Sequence, residues 1–353
     1  MAQCQPSTDD SSWRLVNVPH DFMVEGVFDA SNDISQGYLP FGAAWYRKEF
    51  DLPPSAKGQA KYLDFDGVMI SSQVWLNGIF LGNHSSGYTP FRFELRDLDL
   101  NWGGKNVLAV RADASKPADA WQIAWYYDGG GIYRHVKLTV APPLHIAPWG
   151  VYAPALVTAA SIIHATDGRD TAHAVLNASV DLSNHQTTAA AGVRINATVF
   201  DAHGSVVGSS QSQALSIPAG SGSMETPYTV LLPPIAMANA QLWSVDTPVL
   251  YTLVLNVSPG GDSVNTTFGV RLARFDPDHG FLLNERPLKI KGACNHQDFA
   301  GVGVAVPDAL QAFRVSKMKS TGINAWRTAH NPPTPGLLDA TDRVGMLVPP
   351  QPY

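Results

Sequence analysis

From Ala44 to Asp113 the chain alternates apolar and polar residues in short runs. The runs are "AWYRKEFDL" (44–52), "KYLDFDGV" (61–68), "SQVWLNGIFLGNH" (72–84) and "NVLAVRAD" (106–113), and Gly, Pro and Asn clusters separate them. A period of two sends successive side chains to opposite faces, so each run predicts a half-buried strand. Asn77-Gly78 supplies the positive φ angles of a tight hairpin turn. "GIYRHVKLTV" (131–140) predicts a closing strand, and Pro142-Pro143 a break behind it. Residues 1–142 therefore read as one β-sandwich.

Past Leu144 the strands continue in a different composition, rich in Ala, Val, Ser and Thr. "HAVLNASVDLSN" (173–184), "AGVRINATVFDAHG" (191–204), "METPYTVLLP" (224–233) and "LYTLVLNVS" (250–258) predict a second sandwich over 143–272, of immunoglobulin type without its disulfide. Trp243 is expected in that core or at its border with a neighbour. At residue 288 the period changes. "LKIKGACNH" (288–296) predicts a strand, "PDALQAFRVSKMKSTG" (307–322) a helix, "INAWRT" (323–328) a strand, "TPGLLDATDRVG" (334–345) a helix and "MLV" (346–348) a strand. Pro307 and Gly322 bracket the first helix, and Ala309, Leu310, Phe313 and Met318 are its expected buried face. Strand, helix, strand, helix, strand opens a parallel α/β unit over 273–353.

Composition narrows the function classes. Formal net charge is −6 over 353 residues, and no basic run marks a nucleic-acid partner. No 18-residue apolar stretch spans a membrane. Met1 to Asp10 is polar, so as given the chain is expected to be soluble and to lack a signal peptide, with its compartment open. Five Asn-X-Ser/Thr sites, at Asn83, Asn177, Asn196, Asn256 and Asn265, matter only in a secreted product. Cys4 and Cys294 do not make a disulfide framework, and Cys4 is placed in a loose terminus. The eleven histidines form no metal-ligand spacing, so no metal or other cofactor is assigned.

Longer motifs then run in order along the chain: "DDSSWRLVNVPHDF", "GYLPFGAAWYRKEF", "FDGVMISSQVWLNGIFLGNHSSGYTPFRFEL", "WYYDGGGIYRHVKL", "LWSVDTPVLYTLVLNV", "FGVRLARFDPDHGFLLNERPLKIKGACNHQDF" and "MKSTGINAWRTAHNPPTPGLLDATDRVGMLV". Together they resemble glycoside hydrolase family 2, the β-galactosidases, β-glucuronidases and β-mannosidases. The Tyr-Tyr-Asp-Gly-Gly-Gly-Ile-Tyr-Arg form is most similar to the β-galactosidase branch. The resemblance implies a mainly β fold: a jelly-roll sugar-binding sandwich, an immunoglobulin-like sandwich and the start of a (β/α)₈ barrel. Residues 288–353 number 66, against roughly 250 in a complete barrel.

It also implies a retaining β-glycosidase, hydrolysing O-glycosidic bonds between two glutamates on later barrel strands. No glutamate follows Glu285; the later acids are Asp298, Asp308, Asp339 and Asp342. Asp308 is expected to cap its helix, and Asp339 and Asp342 to be solvated. The chain alone is thus expected to be inactive. "PPQPY" departs from the family's continuation, which suggests truncation or a shifted frame. Mg²⁺ or Na⁺ sites of complete relatives are implied mostly by residues past 353.

What the resemblance leaves is a substrate-binding rim. Arg327, His330 and Asn331 follow the second barrel strand, and Asn295 and His296 the first, on the face where barrel sites lie. The plainer reading is that Arg327 and His330 only satisfy loop carbonyls. In the first sandwich, Trp125, Tyr126, Tyr127 and Asp128 precede three glycines that turn the backbone and send these side chains outward. An aromatic face stacks on a pyranose while a carboxylate binds its hydroxyls. The alternative packs the aromatics at a domain interface and pairs Asp128 with Arg134. The "GYLPFG" loop (37–42) is a weaker contributor. The expected partner is a β-glycoside or oligosaccharide, with a homo-oligomer or a complementing C-terminal chain also open. A non-catalytic carbohydrate-binding protein is the other class. Because an open parallel edge is costly, residues 288–353 are expected to pack on the sandwiches or stay partly disordered and aggregation-prone.

Overall fold

A computed structural model describes residues 2–115, 126–220 and 228–349. The first sandwich uses β1 (Ala43–Phe50), β2 (Ala60–Phe65), β3 (Ser71–Leu76), β4 (Ile79–His84), β5 (Phe91–Glu94), β6 (Asn106–Asp113) and β7 (Val136–Ala141). Its sheets run β1-β6-β3-β4 and β5-β2-β7, with Leu63, Phe65, Val74, Leu76, Leu108 and Val110 between them. The hairpin at Asn77-Gly78 forms as expected, both residues having positive φ. The closing strand is shorter than its apolar run: residues before Val136 leave the ladder, and Gly131 bridges Met69 instead. Cys4 is not loose. It is buried with Trp75 and Ala109, while Cys294 is exposed, and neither is in a disulfide among the described residues.

The second sandwich begins with β8 (Leu144–Tyr152), β9 (Ala155–Ile163), β10 (Thr171–Leu176) and β11 (Ser179–Asn184). It continues with β12 (Ala190–Phe200), β13 (Val206–Gln211), β14 (Leu215–Ile217), β15 (Tyr228–Leu231), β16 (Ile235–Gln241), β17 (Tyr251–Ser258) and β18 (Ser263–Phe268). The single run expected over 173–184 is two strands. β10 lies between β16 and β9, whereas β11 lies between β15 and β8, so the chain changes sheets at Asn177-Ala178. Apolar alternation continues through the switch, and for that reason the pattern conceals it. Leu176, Val180, Leu182, Ile195, Leu253 and Leu255 form a core essentially closed to solvent.

A small sheet, β19 (Ala273–Asp276), β20 (Gly280–Leu283) and β21 (Arg286–Pro287), leads into the α/β segment. There β22 (Gly292–Asn295) pairs in parallel with β23 (Ala325–Thr328), with α1 (Asp308–Ser320) between them in sequence and α2 (Pro335–Val344) after them. "MLV" contributes one parallel bridge, Leu347 to Ala325. The face that α1 turns inward matches the expected one only in part: Met318 packs on the buried cluster and Leu310 is half-buried. Gln311 and Val315 are buried, whereas Ala309 and Phe313 are exposed. Positions four apart share a helix face, so the inward stripe follows the crevice beneath it and carries a polar residue.

This segment packs on both sandwiches. Trp243 covers Ala325 and Leu347 and donates its indole N–H to the Asp342 carbonyl at 2.8 Å. Lys319 reaches the carbonyls of Val245 and Gly345, and Arg286 grips Asp170 with two bonds of 2.8 and 2.9 Å. Asp308 lies in the first turn of α1, after the N-cap Pro307, and meets His135 of the first sandwich at 2.9 Å. Asp339 and Asp342 are exposed on α2. Among the described residues no helix is long and apolar enough to cross a membrane.

Candidate sugar-binding site

Where the first sandwich meets the ends of β22 and β23, three rings converge. Tyr126 stands edge-on to His296 at 4.5 Å between centroids and to His330 at 6.1 Å, and the two imidazoles are 5.7 Å apart. Asn331 donates its amide to the Tyr126 hydroxyl at 2.8 Å. Residues from three loops, the last two 170 and about two hundred positions after the first, thus form one aromatic and polar wall. His296, His330 and Asn331 are all half-buried, so the wall keeps a solvent-facing side.

Asp128 sits deeper, 6% exposed. Its carboxylate accepts from the Tyr88 hydroxyl at 2.6 Å and from Gln36 Nε2 at 3.5 Å, and its backbone N–H donates to Gln36 Oε1 at 2.8 Å. Burial, with the Asp128 charge beside it, pushes the Tyr88 hydroxyl far above its ordinary pKa, so it remains a donor. Gln36 also donates to the Tyr126 carbonyl at 2.8 Å. It is 1% exposed and lies immediately before the "GYLPFG" loop, so that loop reaches the site through the residue preceding it. Arg134 spends its guanidinium on the carbonyls of Tyr88, Asp66 and Pro332 and on Gln297. Trp125 lies outside the described residues.

Asp21 is a further residue that residue-type reasoning passed over. It is 2% exposed and accepts four hydrogen bonds: from the N–H groups of Met23, Gly130 and Val304, each at 3.0 Å, and from the Tyr127 hydroxyl at 2.8 Å. One carboxylate therefore fastens the loops at 21–23, 127–130 and 303–304. This explains the glycines more fully than a turn does. A Cβ on Gly129 would meet Val304 at 2.5 Å and Asp21 at 2.6 Å, and one on Gly303 would meet Asp21 at 2.1 Å. The glycines let three loops approach one carboxylate. Tyr127 consequently faces inward, not outward as a sugar platform; burial and the Asp21 charge push its hydroxyl pKa upward.

The remaining rim residues divide. Asn295 turns its amide back to the Ala293 carbonyl at 2.9 Å, a local bond. Arg327 lies in register with Cys294 and donates to its sulfur at 3.3 Å. Tyr126, His296, His330 and Asn331 form the wall, Asp128 and Gln36 its floor, and Arg327 and Asn295 its margin. Among the described residues no three His, Cys, Asp or Glu side chains converge to hold a metal.

Three segments of the chain match family models: residues 27–142 the sugar-binding domain of glycosyl hydrolases family 2, residues 160–271 glycosyl hydrolases family 2, and residues 277–349 the TIM barrel domain of that family. Over 351 residues the chain is 37% identical to beta-galactosidase BoGH2A of Bacteroides ovatus, covering 98% of this chain and 38% of that protein. It is 33% identical to a putative beta-glucuronidase of Formosa agariphila, covering 96% of this chain and 30% of the relative. Among solved structures, a beta-glycosidase from Bacteroides vulgatus aligns with a TM-score of 0.83 at 31% identity, over 99% of this chain and 42% of the other. A glycosyl hydrolase family 2 member from Bacteroides cellulosilyticus aligns with a TM-score of 0.87 at 28% identity, over 99% and 44%. The chain spans well under half the length of these relatives.

Proposed function

Because this chain belongs to glycosyl hydrolase family 2, we propose that it forms one wall of the substrate cleft of a β-glycosidase, of the β-galactosidase type. The observation that carries this reading is the meeting of Tyr126, His296, His330 and Asn331 across the junction of the first sandwich and the barrel strands. An aromatic edge, two imidazoles and an amide suit the mixed apolar and hydroxyl-bearing surface of a pyranose. Asp128, held by Tyr88 and Gln36, supplies a fixed negative charge beneath them.

Retaining hydrolysis requires a nucleophilic carboxylate and an acid/base carboxylate roughly 5–5.5 Å apart. Of the acids after residue 285, Asp308 is engaged with His135 and Asp339 and Asp342 lie on α2, leaving Asp298 alone on the loop after β22. The chain by itself therefore binds sugar without cleaving it. Hydrolysis needs two carboxylates from further barrel strands, which a longer product or a separate chain would supply. The test is to incubate the purified chain with nitrophenyl β-glycosides and to titrate it with galactosides by calorimetry. Binding without turnover is expected. Turnover that His330→Ala abolishes would overturn the division of labour, and absence of binding to any galactoside or glucoside would overturn the sugar wall.

A further inference from the structure

Behind the wall, between α1, α2 and the loops that follow β22 and β23, lies a crevice of about 20 Å³ lined in part by Gln297, Gln311, Arg314, Trp326 and Thr328. Three buried side-chain atoms of these residues have no hydrogen-bond partner among the described residues: Gln297 Nε2, Gln311 Oε1 and Arg314 Nη1. Gln311 is 3% exposed. Two are donors and one is an acceptor. A buried polar group left unpaired is destabilising because its lost bonds to water are not replaced, so three around one crevice point to a ligand that satisfies them together.

Volume selects that ligand. A water molecule needs at least about 10–15 Å³ of such space, whereas a carboxylate, a phosphate or a sugar needs several times more. We propose that the crevice is a binding site for one ordered water molecule. It accepts from Arg314 Nη1 and Gln297 Nε2 and donates to Gln311 Oε1.

The guanidinium cannot turn away to find solvent. Its Nη2 donates to the His296 carbonyl at 2.9 Å, and it lies 5.3 Å from the Trp326 ring centroid and 5.4 Å from that of Phe299. Gln297 is held at its other end, where Oε1 accepts from Arg134 Nη2 at 3.5 Å. The water therefore links α1 to the loop carrying His296 and, through Arg134, to the first sandwich. Gln311 points inward on α1 because this site needs an acceptor there. Arg314, Gln311 and Gln297 are then positioning residues for His296, a role that rests on the sugar-binding reading above.

A crystal structure of the chain at a resolution that shows solvent tests the site directly. One spherical density peak bonded to the three atoms is expected. An empty crevice, direct pairing of the three atoms, or density larger than one atom would overturn the assignment. Gln311→Leu removes the acceptor at similar volume. It should abolish the peak and weaken galactoside binding about fivefold, the size of one lost hydrogen bond, while Gln311→Glu restores both. Loss of the peak with unchanged affinity would overturn the positioning role. If Gln311→Leu does not fold, Gln297→Met removes one donor from the same site and is expected to act alike. A wild-type chain that binds no sugar would refute the sugar wall, whereas the density decides the water site independently.

Discussion

Leu176, Val180, Ile195 and Leu253 of the immunoglobulin-like sandwich are covered by neighbours from that same sandwich, while Ala325 and Leu347 of the barrel segment are covered by Trp243, which belongs to the sandwich. The first region completes its own core. The second borrows a side chain, and also two carboxylates, one from each sandwich, since Arg286 is anchored on Asp170 and Val304 on Asp21. A parallel pair such as β22 and β23 is stable only when both faces are covered, and the two short helices cover one. The difference implies that the barrel segment opens before the sandwich does.

Trp243→Ala offers the hardest test of that asymmetry. Removing a large buried indole costs about 3–5 kcal/mol, and the loss should fall on the segment it covers. Hydrogen exchange should show amides of 325–328 losing protection while those of β10 and β17 keep theirs; uniform loss would erase the contrast. Asp21→Ala should follow at about 3 kcal/mol, because a hydroxyl and three N–H groups lose their acceptor together. Limited proteolysis should then cut near 127–130 or 303–304 before any site in the second sandwich.

Acid gives a graded test. Arg286, then His164 and the Ala165 N–H, hold the Asp170 carboxyl well below the usual carboxylate range. A depressed folded pKa stabilises the protein above the unfolded value of about 3.9 and loses that contribution as pH falls below it. The melting temperature of the wild type should exceed that of Asp170→Asn near neutrality, and the gap should close below about pH 4. A gap constant down to pH 2 would show that the Arg286 clasp contributes nothing. The smallest effect is expected from Tyr126→Phe, which removes the hydroxyl that accepts from Asn331 and meets Tyr88. Galactoside affinity should fall about fivefold with stability nearly unchanged, since a single neutral hydrogen bond contributes about 1 kcal/mol. Calorimetry and a thermal melt on one sample separate the two.

Much of the architecture was legible because β alternation is local. The runs around β1, β2, β6, β12 and β17 announce themselves within eight residues, and the α/β change at 288 is a change of period. The switch of sheets at Asn177-Ala178 was not, because nothing in an uninterrupted alternation marks where a strand exchanges partners. The buried face of α1 was legible at Met318 but not at Gln311, which turns inward to meet polar groups contributed by a loop elsewhere in the sequence. In the candidate site, His296, His330 and Asn331 could be picked out by residue type and by their place after the barrel strands. Gln36 and Asp21 could not, since their roles are defined by backbone atoms that come within reach only once the sandwich and the barrel strands have met.

The four bonds on Asp21 carry a consequence for anyone who would redesign the cleft. Its loops are the natural targets for altering the cleft proposed above. Here the loops at 21–23, 127–130 and 303–304 share one acceptor, and glycines hold them within contact of it. A graft that replaces one of them alone would strand the donors of the other two, so the three form the smallest unit that can be transplanted.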